Sequence, residues 1–283
     1  MMRLHPCYKK LELTDFGYWI PEQASEGEVH YPDEGHQTDI DFESKSFWYK
    51  HRNDCIVAAA KNHPPRDDAP AFDLGGGSGY VTKAINDAGI PMTLIEPNPL
   101  GASKGVRRGL QNVICSRLED CQISNDSVGG FGLYDVVEHI EDDKAYIDML
   151  HKKLIEGGTI HLTVPAYQWL WSAEDQTALH FRRYSLEQAK QLFDTTQFSI
   201  DYASYFFQWL VPPIYFIRSL PHKLGLQSKE NGYKSNMDHH ESGEMMVNNI
   251  IGHFNSREVK TIQKNKTLSF GASCMVIARK TDP

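Results

Sequence analysis

Cysteine is scarce in this chain: there are five in 283 residues, at 7, 55, 115, 121 and 274, and no two stand as C-x-x-C. That spacing argues against a zinc ligand set and a disulfide framework, and it points to a reducing, cytoplasmic compartment. No stretch reaches the ~20 apolar residues of a membrane span. The opening "MMRLHPCYKKLELTD" lacks the apolar centre of a signal peptide. Positive charge is also in deficit. Lys and Arg number 29 against 37 Asp and Glu, a net charge of -8, so no nucleic-acid partner is expected. Only the local clusters Lys104/Arg107/Arg108 and Arg182/Arg183 suit an anion. In "MDHHESGEMM" the residues Asp238, His239, His240 and Glu241 are adjacent and do not share one helical face. The segment reads as solvated, and no metal site is expected.

What the chain does have is a regular alternation. Residues 1–43 are rich in turn formers, as in "PEQASEGEVHYPDEGHQ", and read as an irregular arm or cap; the main domain is expected over 44–283. "SFWYKHRNDCIVAAA" reads as a helix that "NHPPRDDAP" breaks. Then come the strand "AFDL", a glycine turn, and the helix "YVTKAINDAG", with Val81, Ala84, Ile85 and Ala88 at i, i+3, i+4 and i+7. The strand "MTLIE", the helix "PLGASKGVRRGL" and the strands "NVICS" and "GGFGLY" follow. The helix "DDKAYIDMLHKKLI" is expected to end at Gly157-Gly158, before the strand "TIHLTV". "SLEQAKQLF" opens with a capping box, Ser185 and Gln188. "FSIDYASYFF" and "SFGASCMVIARK" are two later strands, separated by a helical, apolar insertion at about 207–267. Such repetition implies an α/β fold, a parallel sheet covered by helices on both faces. Ligands then sit beyond the carboxyl ends of the strands, where the glycine turn, Glu96, "SRLED" and Asp135 all fall.

The turn "FDLGGGSGY" is the most informative stretch. Gly75, Gly77 and Gly79 can take positive φ and let a ligand touch the main chain. The helix that follows offers unpaired N–H groups to an anion, a carboxylate as readily as a phosphate. Glu96 ends the next strand, where a carboxylate can accept hydrogen bonds from both hydroxyls of a ribose. Together these say only that the ligand contains a nucleoside. NAD, and with it an oxidoreductase, is the rival reading. Its G-x-G-x-x-G needs a small sixth residue for close packing, and here that residue is Tyr80. Asp73, just before the turn, would repel a pyrophosphate but suits the ammonium group of a methionine moiety.

The strings "DLGGGSG", "LIEPNP", "LYDVVEHIEDD", "GGTIHLTVPAYQWLWSAED" and "HFRRYSLEQ" stand in the order found in class I S-adenosylmethionine-dependent methyltransferases, and residues 44–280 resemble that family's bacterial methyltransferase-domain branch. The resemblance implies a Rossmann-like, seven-stranded, mostly parallel sheet with an antiparallel last strand, for which "FGASCMVIARK" is suited. It implies S-adenosylmethionine as cofactor and S-adenosylhomocysteine as product. Asp73, Gly75, Gly77 and Gly79 would hold the methionine end, Glu96 and Pro97 the ribose, Leu118 and Glu119 the adenine, with Asp135 near the methionine moiety. The family usually has Gly before the His of "HFRRY"; this chain has Leu179, which bears on the local turn. A cofactor-binding module without turnover is the other alternative.

Methyl transfer from a sulfonium is an in-line displacement in which positioning carries much of the rate. A base is needed only where the acceptor loses a proton. Three places can supply groups for an O, N or C nucleophile on a small-molecule or lipid-like acceptor. In "DVVEHIEDD", His139 is a catalytic candidate or else a cap of the next helix, and Glu138 reads as a residue that caps and orients that helix. In "WSAEDQTALHFRRY", His180 is the second catalytic candidate, and Trp171, Arg182, Arg183 and Tyr184 are candidate acceptor contacts, or else a salt-bridged latch. In "FWYKHRN", Phe47, Trp48 and Tyr49 either close over the cofactor or belong to the core, and Arg52 suits its carboxylate. The apolar run "YFFQWLVPPIYFIRSLP" is read as packing over the sheet, a greasy acceptor pocket, a dimer surface or a membrane-surface contact.

Overall fold

The structure, a computed structural model, describes residues 11–22, 40–194, 197–226 and 245–281. Among the described residues nine strands form one sheet: β1 (Leu11–Leu13), β2 (Trp19–Pro21), β3 (Ala71–Leu74), β4 (Thr93–Ile95), β5 (Val113–Ile114), β6 (Val128–Tyr134), β7 (Leu154–Pro165), β8 (Phe198–Phe206) and β9 (Ser273–Lys280). Their spatial order is β1-β2-β5-β4-β3-β6-β7-β9-β8. Strands β5, β4, β3, β6 and β7 run parallel, and β9 lies antiparallel between β7 and β8. The seven expected strands are all present, with the last one reversed.

The other two strands come from the segment read as an arm. "LEL" and "WIP" form a hairpin that turns at Gly17, φ 84°, and lays Trp19 beside Ile114. Strand β5 is only two residues long and would otherwise be the sheet's edge. The hairpin covers that edge, which alternating patterning over three residues is too short to announce.

All four residues of β3 are buried, as a strand covered on both faces requires. Phe72, Phe131, Leu133, Ile160, Leu162 and Val276 join one core cluster across the central strands. Helix α1 (Ile40–Lys45) and helix α2 (Phe47–Asn62) precede β3, with Cys55, Ile56, Ala58 and Ala59 of α2 buried. Helix α3 (Tyr80–Asp87) starts where Gly79 takes φ 71°. Helix α4 (Pro99–Arg107) has Pro99 at its first turn and Asn98 as cap, accepting from the N–H of Leu100 and Gly101. Helix α5 (Asp143–Lys153) is capped by Asp142. Gly157-Gly158 do not end that helix. Leu154 already pairs with Val128, and the next pairing is Thr159 with Gly130, so the glycines sit in a bulge with Gly157 at φ 71°.

Helix α6 (Ala173–Thr177) and helix α7 (Leu186–Lys190) follow β7, and α7 has the expected Ser185/Gln188 box. Between β8 and β9 lie short helical turns over 208–223 and a long helix, Met245–Gln263, which packs on α2. Asp238, His239, His240 and Glu241 lie outside the described residues. Among the described residues no helix is long and apolar enough to cross a membrane.

Candidate active site

The carboxyl ends of β3, β4, β5 and β6 open onto one cavity of about 720 Å³. Its lining includes Asp73, Gly75, Gly77, Glu96, Pro97, Leu118, Glu119, Asp135 and His139. Nine residues assigned from sequence to two functions are therefore brought to one place. The parallel order β5-β4-β3-β6 explains why: each strand delivers its C-terminal residue to the same rim.

Gly75, Gly76 and Gly77 form the floor. Gly75, Gly77 and Gly79 have φ of 64°, 57° and 71°. A Cβ on Gly77 would meet nothing within 4 Å, so this glycine faces open space, whereas one on Gly79 would lie 2.5 Å from Leu110 Cδ1. Gly79 thus serves packing between α3 and α4, and Gly77 serves the cavity.

Two carboxylates flank the floor. Glu96 is only 2% exposed. Its Oε2 accepts from the Gly77 N–H at 2.7 Å and its Oε1 from the Asn98 N–H at 2.8 Å. Burial nevertheless pushes its carboxyl up to about 7. Glu96 is thus a buried residue that braces the glycine turn as well as lining the cavity. Asp73 is fully buried. Thr82 Oγ1 donates to its Oδ2 at 2.6 Å, while Oδ1 has no partner. Burial raises this carboxyl to about 6.

On the far wall Arg52 donates from Nη2 to the Tyr134 carbonyl at 2.7 Å, and its Nε lies 2.7 Å from Asp135 Oδ2. Asp135 itself takes φ 59° and accepts from Thr163 Oγ1 at 3.1 Å. Trp48 and Tyr49 line the cavity, while Trp48 also stacks on the buried Phe207; Phe47 instead lies tilted against Trp209, centroids 5.5 Å apart. A clamp that sequence reasoning missed lies above the turn. Glu43 accepts from Ser78 Oγ and pairs with Arg108, whose Nε donates to the Ser78 carbonyl at 3.1 Å. These residues are far apart in the chain, and no local pattern announces their meeting.

The other end of the cavity is closed by His139, Ile140, Glu141 and Phe181. His180 stands behind, its ring edge-on to His139 with centroids 4.7 Å apart. Its Nδ1 lies 2.9 Å from Asp175 Oδ1. Arg183 Nε donates to the same oxygen at 2.7 Å, and Ser172 N to Oδ2 at 2.9 Å. Burial alone would raise Asp175, but His180 and Arg183 bring it down to about 2. Arg182 donates to Asp143 Oδ2 and the Glu141 carbonyl, and the Tyr184 hydroxyl to Asp143 Oδ2. Trp171, Arg182, Arg183 and Tyr184 are not in the cavity lining. Both arginines and Tyr184 direct their polar atoms to the protein, which is the geometry of a latch. Leu179 adopts φ 59°, so the turn before His180 has a left-handed conformation without glycine. Glu138 is 1% exposed; burial and then the nearby Asp135 push its carboxyl well up, and its Oε2 has no partner.

A family model described as a methyltransferase domain matches residues 49–203, more than half of the chain. The chain belongs to the methyltransferase-domain family. The fold is similar to that of a solved structure, and two further structures match more weakly. A SAM-dependent methyltransferase from Thermotoga maritima matches this methyltransferase with a TM-score of 0.53 at 12% identity, over 87% of this chain and 97% of that one. One from Archaeoglobus fulgidus matches at 0.48 and 14% identity, over 86% and 100%. The Haemonchus contortus phosphoethanolamine N-methyltransferase 2, solved with phosphomonomethylethanolamine and S-adenosylhomocysteine, matches at 0.48 and 13% identity, over 81% of this chain. The chain spans 52% of that enzyme's length. No curated protein matches the sequence. By family the chain is a methyltransferase, with the Rossmann-like fold of the Thermotoga maritima structure, which sets the oxidoreductase reading aside.

Proposed function

We propose that this methyltransferase binds S-adenosylmethionine along the glycine floor and carries its methyl group to a small-molecule or lipid-like acceptor at the His139 end of the cavity. The observation that carries the reading is the pairing of open space above Gly77 with the Glu96 carboxylate beside it. The methionine carboxylate would meet Arg52 and the N–H groups of the turn, and its ammonium the unpartnered oxygen of Asp73. The ribose hydroxyls would donate to Glu96, next to Pro97, and the adenine would lie against Leu118 and Glu119. The sulfonium then falls near Asp135, with the methyl toward His139. The acceptor lone pair attacks the methyl carbon, the C–S bond breaks, and its electrons stay on sulfur as S-adenosylhomocysteine.

His139 and His180 activate or orient the acceptor in this reading, and Phe181 covers it. Arg182, Arg183 and Tyr184 act one step back, by fixing the loop that carries His180. The exposed Phe216, Ile217, Leu224 and Leu226 suit a lipid-like acceptor or a membrane surface. Turnover on a panel of O, N and C acceptors, with His139→Ala and His180→Ala alongside wild type, tests the proposal. Both variants should keep S-adenosylhomocysteine affinity and lose turnover; full turnover in both would refute the assignment, and a wild type that binds cofactor but turns over no acceptor would favour a non-catalytic module.

A further inference from the structure

Two clusters of three side chains among the described residues bring metal-ligating atoms within 4.8 Å of one another: His51/Cys55/Glu258 and Glu138/His139/His180. They differ in how their carboxylates are used. Glu258 is fully engaged, since Oε2 faces His51 at 2.8 Å and accepts from Phe207 N at 2.8 Å, while Oε1 accepts from Gln208 N at 2.7 Å. That carboxylate ties the long helix to β8. Glu138 is nine-tenths buried and more, yet its Oε2 meets no donor. An unsatisfied buried carboxylate oxygen needs an explanation, and an ion is one of the few groups small enough to supply it.

The surroundings of Glu138 are arranged as a cation shell would be. With Nδ1 of His180 facing Asp175, Nε2 is the nitrogen left to ligate. Asp175 is in turn held by Arg183 and Ser172. A histidine oriented by a carboxylate on its other nitrogen is the usual outer shell of a metal-bound imidazole. The Phe181 N–H donates to the Glu138 carbonyl at 2.8 Å, which locks the two ligand-bearing segments together. The open side of the cluster is the cavity, through His139.

We propose that Glu138, His139 and His180 form a binding site for one divalent d-block cation at the acceptor end of the cavity. Two imidazole nitrogens and one carboxylate oxygen suit Zn²⁺, Mn²⁺, Fe²⁺ or Co²⁺. Mg²⁺ and Ca²⁺ prefer oxygen shells. Zn–N bonds of about 2.0–2.1 Å require the three side chains to draw inward slightly from their present spacing. Three protein ligands leave positions for the acceptor, so the site selects an acceptor with an oxygen able to bind the ion. The ion acts as a Lewis acid that orients this oxygen and favours its deprotonated form. This deepens the proposed role of the two histidines and rests on that assignment, but the ion site and the cofactor site can fail independently.

Untagged full-length protein, stripped with chelator and dialysed against Co²⁺, Mn²⁺ or Zn²⁺, should retain one equivalent, and the Co²⁺ form should show visible d–d bands. Glu138→Gln and His180→Ala should each lose the equivalent and the bands while still binding S-adenosylhomocysteine, which also reports that they fold. Asp175→Asn should weaken the ion about 10–100-fold. Glu258→Gln should leave it in place. Absence of stoichiometric Co²⁺, Mn²⁺ and Zn²⁺ in wild type would overturn the proposal, as would retention in both Glu138→Gln and His180→Ala, or loss in Glu258→Gln alone. Wild type that holds the ion but ignores S-adenosylhomocysteine would instead sink the cofactor assignment.

Discussion

The Gly77 N–H donates to Oε2 of Glu96 at 2.7 Å, so the residue placed to receive a ribose also holds the turn that would receive the methionine. Glu96→Ala should therefore do two things. S-adenosylhomocysteine affinity should fall by roughly 2–4 kcal/mol, from charge-assisted bonds lost in part to water. The melting temperature should fall as well, because Gly77 and Asn98 lose their acceptor. Calorimetry and thermal melting on one sample separate the two; unchanged affinity would show that the ribose is held elsewhere.

Glu96 also sets a pH dependence. Burial lifts its carboxyl to about 7 in the ligand-free protein, whereas an unfolded glutamate titrates near 4.5. A folded-state value above the unfolded one stabilises the ligand-free protein fully below about 4.5, and that contribution is lost as pH rises through about 7. Binding favours the ionised form, which accepts the ribose hydroxyls. Below pH 7 the cofactor should bind more weakly and release a proton, read as a dependence of the binding enthalpy on the buffer's ionisation enthalpy. Proton uptake would contradict the assignment.

Gly77 and Gly79 should respond differently to the same change. Gly77→Ala carries the left-handed strain of about 1–2 kcal/mol but no clash. Its methyl enters the space assigned to the cofactor, so affinity should drop at least ~10-fold with a modest loss of stability. Gly79→Ala puts a carbon 2.5 Å from Leu110 Cδ1 and 3.4 Å from the Gly105 backbone, so stability should fall far more. Equal affinities in wild type and Gly77→Ala would remove the cofactor from the floor.

Arg182 and Arg183 are adjacent yet unequal. Arg183 pairs with the fully buried Asp175, and removing it leaves that charge with only His180 and Ser172 as partners, a loss at the lower end of the about 3–5 kcal/mol that breaking a buried pair costs. Arg182 is about a third exposed, where such pairs contribute about 0–1 kcal/mol. Thermal melting of the two alanine variants should show this order. S-adenosylhomocysteine affinity should stay near wild type in both. A reversed order, with turnover lost only in Arg182→Ala, would return Arg182 to the acceptor.

The sheet and the cofactor rim were legible because they depend on local signals. "AFDL", the three glycines and the strand-end Glu96 each occupy a few consecutive residues, and the parallel topology brings their ends together. The hairpin over 11–21 was not legible, since three-residue strands carry no period. Glu43, Ser78 and Arg108 meet only in three dimensions. The same holds for His139 and His180, which follow neighbouring strands β6 and β7. The sequence reading took the adjacent histidines of "MDHHE" as solvated and expected no metal site; the grouping of Glu138, His139 and His180 arises only in space.

The central claim is that the cavity above the glycine turn takes S-adenosylmethionine. Isothermal titration of wild-type protein with S-adenosylhomocysteine, set beside NAD, tests it most directly. The account predicts saturable binding of one S-adenosylhomocysteine per chain and no saturable heat with NAD. Tight NAD binding with no response to S-adenosylhomocysteine would contradict it.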